Sequence, residues 1–77
     1  MSIEELRQLY HDGVIPDKGK KEIKQDFIGE FGYSSLQQFV QMLKIGGERK
    51  PTPKEFDWLS ERIVRYYDYY KPETQPA

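Results

Sequence analysis

The chain has 77 residues, with 12 Lys and Arg against 13 Asp and Glu, one His, no Cys and 36% hydrophobic residues. A chain this short buries only about 60% of the surface its unfolded form exposes, which leaves room for one small domain and excludes a large enzyme with a deep cleft. The missing cysteines exclude a disulfide framework and a thiolate metal site and lead us to expect a cytoplasmic protein, and the shortness of every apolar run gives no expectation of a signal peptide or membrane span.

A first helix is expected over about residues 3–12, from apolar spacing at Leu6, Leu9 and Tyr10. Ser2 stands three residues before Glu5, the spacing of a capping box. Gly13 offers a left-handed residue to close it, with Val14 placed to touch Leu9, and Pro16 favours extended chain beyond. A second helix is expected over about 20–31, presenting Ile23, Phe27, Ile28 and Phe31 to a core and closing at Gly32, with Tyr33 over Ile28. The third, over about 35–45, begins with Ser34 and Gln37 as a second capping box and buries Leu36, Phe39, Val40 and Leu43 before Gly46-Gly47. The fourth, over about 53–70, has the strongest start signal: Thr52 as cap, Pro53 in the first turn and Glu55 at the capping-box position. Its apolar stripe runs through Phe56, Leu59, Ile63, Tyr66, Tyr67 and Tyr70. No repeat and no alternating strand pattern is present. The expected fold is therefore all-α, a compact bundle of four helices in one domain over residues 1–70, with a flexible tail over 71–77.

The net charge of −1 conceals blocks. Residues 1–17 carry −3, residues 18–24 carry +3 through Lys18, Lys20, Lys21 and Lys24 against Glu22, and Arg49, Lys50 and Lys54 form a second +3 run. The short turn at Gly32 and Tyr33 implies that the second and third helices are antiparallel, which would join both basic blocks at one pole. The amino ends of the second and fourth helices would point there too, adding free backbone N–H groups and partial positive charge. From this pole we expect contact with nucleic-acid phosphates through Lys18, Lys20, Lys21, Lys24, Arg49, Lys50 and Lys54, without sequence readout. The competing reading is a solvated lysine cluster that binds nothing specific.

The string LRQLYHDGVIPDKGKKEI, beginning at Leu6, resembles the SAP-like helix, extended loop, helix motif, a short DNA-binding element. Leu6 and Tyr10 match apolar positions of its first helix, Ile15-Pro16 its Leu-Pro, and Gly19-Lys20-Lys21 its Gly-Lys-Lys. The likeness extends over residues 6–27, and it departs from the pattern where Gly13 and Ile23 each fall one residue early. It implies DNA backbone contact at the start of the second helix, which adds Gly19 to Lys20 and Lys21 as candidate contacts. The same stretch is similar to the two-helix hairpin of short carboxy-terminal (SHOCT-type) modules.

Other chemistry finds little support. Five residues separate Gly13 from Gly19, and Lys21 stands where a phosphate loop needs Ser or Thr. Ser34 lacks the second glycine of a nucleophile elbow, and His11 has no second His or Cys with which to share a metal. No catalytic residue, metal ligand or cofactor is expected, and the chain is read as a non-enzyme. Helices two and three also suggest a helix-turn-helix with Gln37, Gln41 and Lys44 towards a groove, but the apolar positions of such a recognition helix would fall on Gln38 and Gln41. On the fourth helix, Trp58, Arg62, Arg65 and Tyr69 share an arc of roughly 60° beside the core stripe. Trp, Tyr and Arg dominate interface hot spots, so the alternative function is a regulatory adaptor or inhibitor that docks a protein on this flank. The plainer account of the flank is arginines stacked over core-edge rings.

Overall fold

A computed structural model describes residues 1–72 and contains four helices: α1 (Ile3–His11), α2 (Asp17–Phe31), α3 (Leu36–Met42) and α4 (Pro53–Tyr70). The described residues contain no strand. The capping boxes of α1 and α4 form as their sequences require. Ser2 Oγ accepts from the Glu5 N–H at 3.1 Å and Glu5 Oε1 from the Ser2 N–H at 3.0 Å. Thr52 Oγ1 and Glu55 repeat the arrangement, with Pro53 in the first turn. Each box satisfies two of the N–H groups that a helix start leaves open.

Two helices depart from expectation at their ends. α2 begins at Asp17, three residues early, because the chain after Pro16 is already helical and the Asp17 carboxylate suits the positive end of the helix dipole. α3 is capped by Ser35, not Ser34, and stops at Met42, so it has seven residues. The chain then turns through Gly46, whose φ is +74°. At the end of α2, Gly32 adopts φ +72° and donates its N–H to Ile28 O, while Tyr33 stacks flat on Phe27 with ring centroids 5.4 Å apart.

The order of contacts along α2 fixes the topology. Gly19 meets Tyr66 and Tyr70, Glu22 accepts from Tyr66 Oη at 2.9 Å, Asp26 pairs with Arg62, and Phe27 touches the Trp58 ring. As α2 is read forward α4 is read backward, so the two are antiparallel. α3 also returns along α2, and α1 packs on α4. The core is the shared interior of Leu6, Ile23, Phe27, Phe39, Leu59 and Ile63, all at or near zero exposure. No described helix is long and apolar enough to cross a membrane. Lys71, in the expected tail, donates its N–H to Tyr67 O and pairs with Asp68. The remainder of that expectation, residues 73–77, lies outside the described residues.

Gly19 is buried between Ile15 and the Tyr66 and Tyr70 rings of α4. A Cβ there would lie 2.9 Å from Ile15 Cγ2, 3.1 Å from Tyr70 and 3.3 Å from Tyr66. Gly29, also inside α2, has nothing within 4 Å of the same position. Urea denaturation is therefore expected to separate two substitutions of equal helix propensity: Gly19→Ala should lose about 1–2 kcal/mol through overpacking, and Gly29→Ala should gain about 0.5–1 kcal/mol. Equal shifts in both variants would mean that α2 and α4 are not in close contact at Gly19.

Candidate functional site

The path from α3 to α4 decides where the two basic blocks lie. Leu43, just after α3, stands beside Tyr10, His11 and Lys20, close to the amino end of α2. The following segment crosses α1, held by Arg7 NH2 to Arg49 O at 2.8 Å and by the Gly46 N–H to Glu4 Oε1 at 3.3 Å. It delivers the start of α4 to the other end of α2, where Tyr33 Oη donates to Glu55 Oε2. Lys18, Lys20, Lys21 and Lys24 thus open α2, whereas Arg49, Lys50 and Lys54 lie near its carboxyl end. A helix of 15 residues spans about 22 Å, so the expected single basic pole is two separate patches. The reason is the direction of α4: Tyr33 with Glu55, Asp26 with Arg62 and Glu22 with Tyr66 pair the two helices antiparallel, so α4 starts where α2 ends, and the nine residues from Lys44 to Thr52 can reach about 30 Å.

The second patch is partly committed within the fold. Burial works against the Glu55 carboxylate, but hydrogen bonds from Tyr33 and Thr52 and the charge of Arg49 outweigh it and hold the carboxyl below its usual range. Lys50 and Lys54 are exposed. Gly19, expected at a ligand surface, is instead buried against Ile15, Tyr66 and Tyr70, so it serves helix packing.

The flank of α4 divides in the same manner. Trp58 is half-buried, edge-on to Phe27 at 5.7 Å and Phe31 at 6.0 Å. Arg62 lies 4.4 Å from the Trp58 ring centre, and its guanidinium donates to Asp26 Oδ2 at 2.6 Å. These two residues knit α4 to α2. Arg65 is exposed and paired with Glu61, and Tyr69 is 80% exposed. Only the outer half of the expected docking face is open surface.

What the structure does assemble is a cleft of about 510 Å³ between α2 and α3, within the size range of ligand pockets. Lys20, Lys21 and Lys24 supply one wall, and Leu36, Phe39, Val40 and Leu43 the apolar side. Tyr10 and His11 lie at one end; His11 Nε2–H donates to Leu43 O at 2.7 Å. Lys20 Nζ sits 5.3 Å from the Tyr10 ring centre, and burial, aided by the Asp17 charge, pushes the Tyr10 phenol up to about 12. None of the four α2 lysines is in an ion pair among the described residues. Leu36 and Val40, expected in the core, are 49% and 53% exposed, because α3 rests mainly on α2 and, among the described residues, no further element covers its outer side. Ile45, 46% exposed, extends the apolar surface past Val40 beside Lys44.

No family model, curated protein or solved structure matches this chain. Among the described residues, no three His, Asp or Glu side chains are grouped to hold a metal ion. The feature that periodicity missed is the outer side of α3. Leu36, Phe39, Val40 and Leu43 share an arc of about 100°, the width of an ordinary core-facing stripe, so their spacing carries no sign that the outer part of it stays open.

Proposed function

We propose that this chain is a small non-enzymatic interaction module of the cytoplasm that binds an acidic segment of a partner protein between α2 and α3. One observation supports the reading above others: three lysines without ion-pair partners among the described residues border a cleft whose opposite side exposes Leu36 and Val40. Apolar surface rimmed mainly by positive charge, three lysines against Asp17, suits a ligand that brings apolar groups and carboxylates. A titration of the ¹⁵N-labelled protein with a peptide built from Glu and Leu should move the amide signals of Lys20, Lys24 and Val40. The same signals should return towards their free positions as salt is raised. Shifts confined to Arg65 and Tyr69 would transfer the site to the α4 flank, and no shift at low salt would end the proposal.

A second reading keeps nucleic acid as the partner. It is favoured by Lys18, Lys20, Lys21 and Lys24 at the amino end of α2, following a helix and a five-residue linker as in the SAP-like element. Arg49, Lys50 and Lys54 take no part in that version, since they lie near the other end of α2. Short duplex and single-stranded DNA and RNA belong in the same titration. This second reading requires binding at low salt that Lys20→Glu with Lys21→Glu abolishes, and a slope against salt smaller than the seven-cation pole would give.

A further inference from the structure

We infer that the occupant of the α2–α3 cleft is an amphipathic helix of about two to three turns with a row of carboxylates along one edge. The inference rests on the acidic-partner reading above and specifies the partner's form.

The first argument concerns backbone groups. Both walls of the cleft are helices, and the described residues contain no strand whose edge could pair with an extended ligand. An extended segment pressed against Leu36 and Val40 would leave its own N–H and C=O groups without partners on that side. A helical segment satisfies them internally and presents only side chains.

The second argument is the spacing of the complementary groups. Leu36 and Val40 are one helical turn apart on α3, and Ile45 continues the apolar surface. Seven residues of α3 extend about 10 Å, which two turns of a ligand helix match. Lys20 and Lys24 are likewise one turn apart on α2, with Lys21 beside them. A ligand helix with apolar residues at i and i+4, and acids at a similar spacing on the adjoining edge, meets both rows at once. Among the described residues Asp17 is the one acid lining the cleft, so carboxylates on the ligand face little repulsion.

A second copy docked cleft to cleft would oppose lysine to lysine, and the acids of α1 are already engaged, Glu5 in its capping box and Glu4 with Arg7 and the Gly46 N–H.

The test is fluorescence anisotropy at low salt with the full chain and four labelled probes. These are an amphipathic Glu/Leu peptide of about 14 residues, the same composition reordered so that no helical face forms, the first peptide with a central proline, and a short DNA duplex. The first should bind at least about tenfold more tightly than the second and third, and its circular dichroism should show helix gained on binding. Equal affinity for the first three would overturn the helical form while leaving the acidic partner in place. Binding by DNA alone, or by no probe, would remove both. Val40→Glu and Lys24→Glu should each weaken the first peptide at least about tenfold with the protein's helical spectrum unchanged, and Arg65→Glu should not. Retained affinity in both cleft variants would also overturn the inference.

Discussion

Replacing Arg7 with methionine is expected to cost about 3 kcal/mol of folding stability, a large part of the roughly 4–11 kcal/mol available to a domain this size. Arg7 is 1% exposed. Its Nε donates to Met42 O at 2.9 Å and its NH2 to Arg49 O at 2.8 Å, and NH1 pairs with Glu4. One guanidinium fork thus ties α1 to the end of α3 and to the segment that leads to α4. Methionine fills much of the volume but donates nothing, so the buried Met42 carbonyl loses its partner at about 1–3 kcal/mol and the part-buried Arg49 carbonyl at less, since water reaches it. Arg7→Lys keeps the charge but places a single ammonium where a planar fork spans three acceptors, and it should recover less than half of the loss. Urea denaturation of both variants checks this. A loss below about 1 kcal/mol for the methionine variant would mean that the segment holds its course without the arginine.

Phe27→Ala should be at least as damaging, at about 3–5 kcal/mol. Phe27 has no exposure, and its ring meets those of Phe31, Tyr33, Phe39 and Trp58 at centroid distances of 4.8 to 5.7 Å. Alanine would leave a cavity where α2, α3 and α4 converge, whereas leucine retains most of the volume and should cost about 1–1.5 kcal/mol. Trp58 provides a local reading, since its half-buried indole rests against Phe27. Its emission should shift to longer wavelength in Phe27→Ala and stay near the native position in Phe27→Leu. Similar stabilities for the two variants would show that the aromatic cluster rearranges to fill the gap.

These two residues illustrate different degrees of legibility. Phe27 was readable as core because Ile23, Phe27, Ile28 and Phe31 recur at helical spacing, and burial of such a stripe is a local requirement of α2. Arg7 gave no sign of its role. Its acceptors are backbone carbonyls 35 and 42 residues away, and backbone atoms leave no trace in side-chain identity. The candidate site was legible in part. Lys20, Lys21 and Lys24 were recognisable as unbalanced charge, but Leu36 and Val40 read as core because periodicity cannot tell how many neighbours a helix will have.

By itself the sequence determined the four helices and most of their ends, because Ser2 with Glu5, Thr52 with Glu55, and glycines at positive φ act on hydrogen bonds within a few residues. Only the tertiary structure decided which ends meet. The stretch between α3 and α4 is long enough to reach either end of α2, so its course followed from the contacts that set α4 antiparallel to α2, Tyr33 with Glu55, Asp26 with Arg62 and Glu22 with Tyr66. That course separated the two basic runs, drew Trp58 and Arg62 into contacts with α2, and left the outer side of α3 without a neighbour among the described residues.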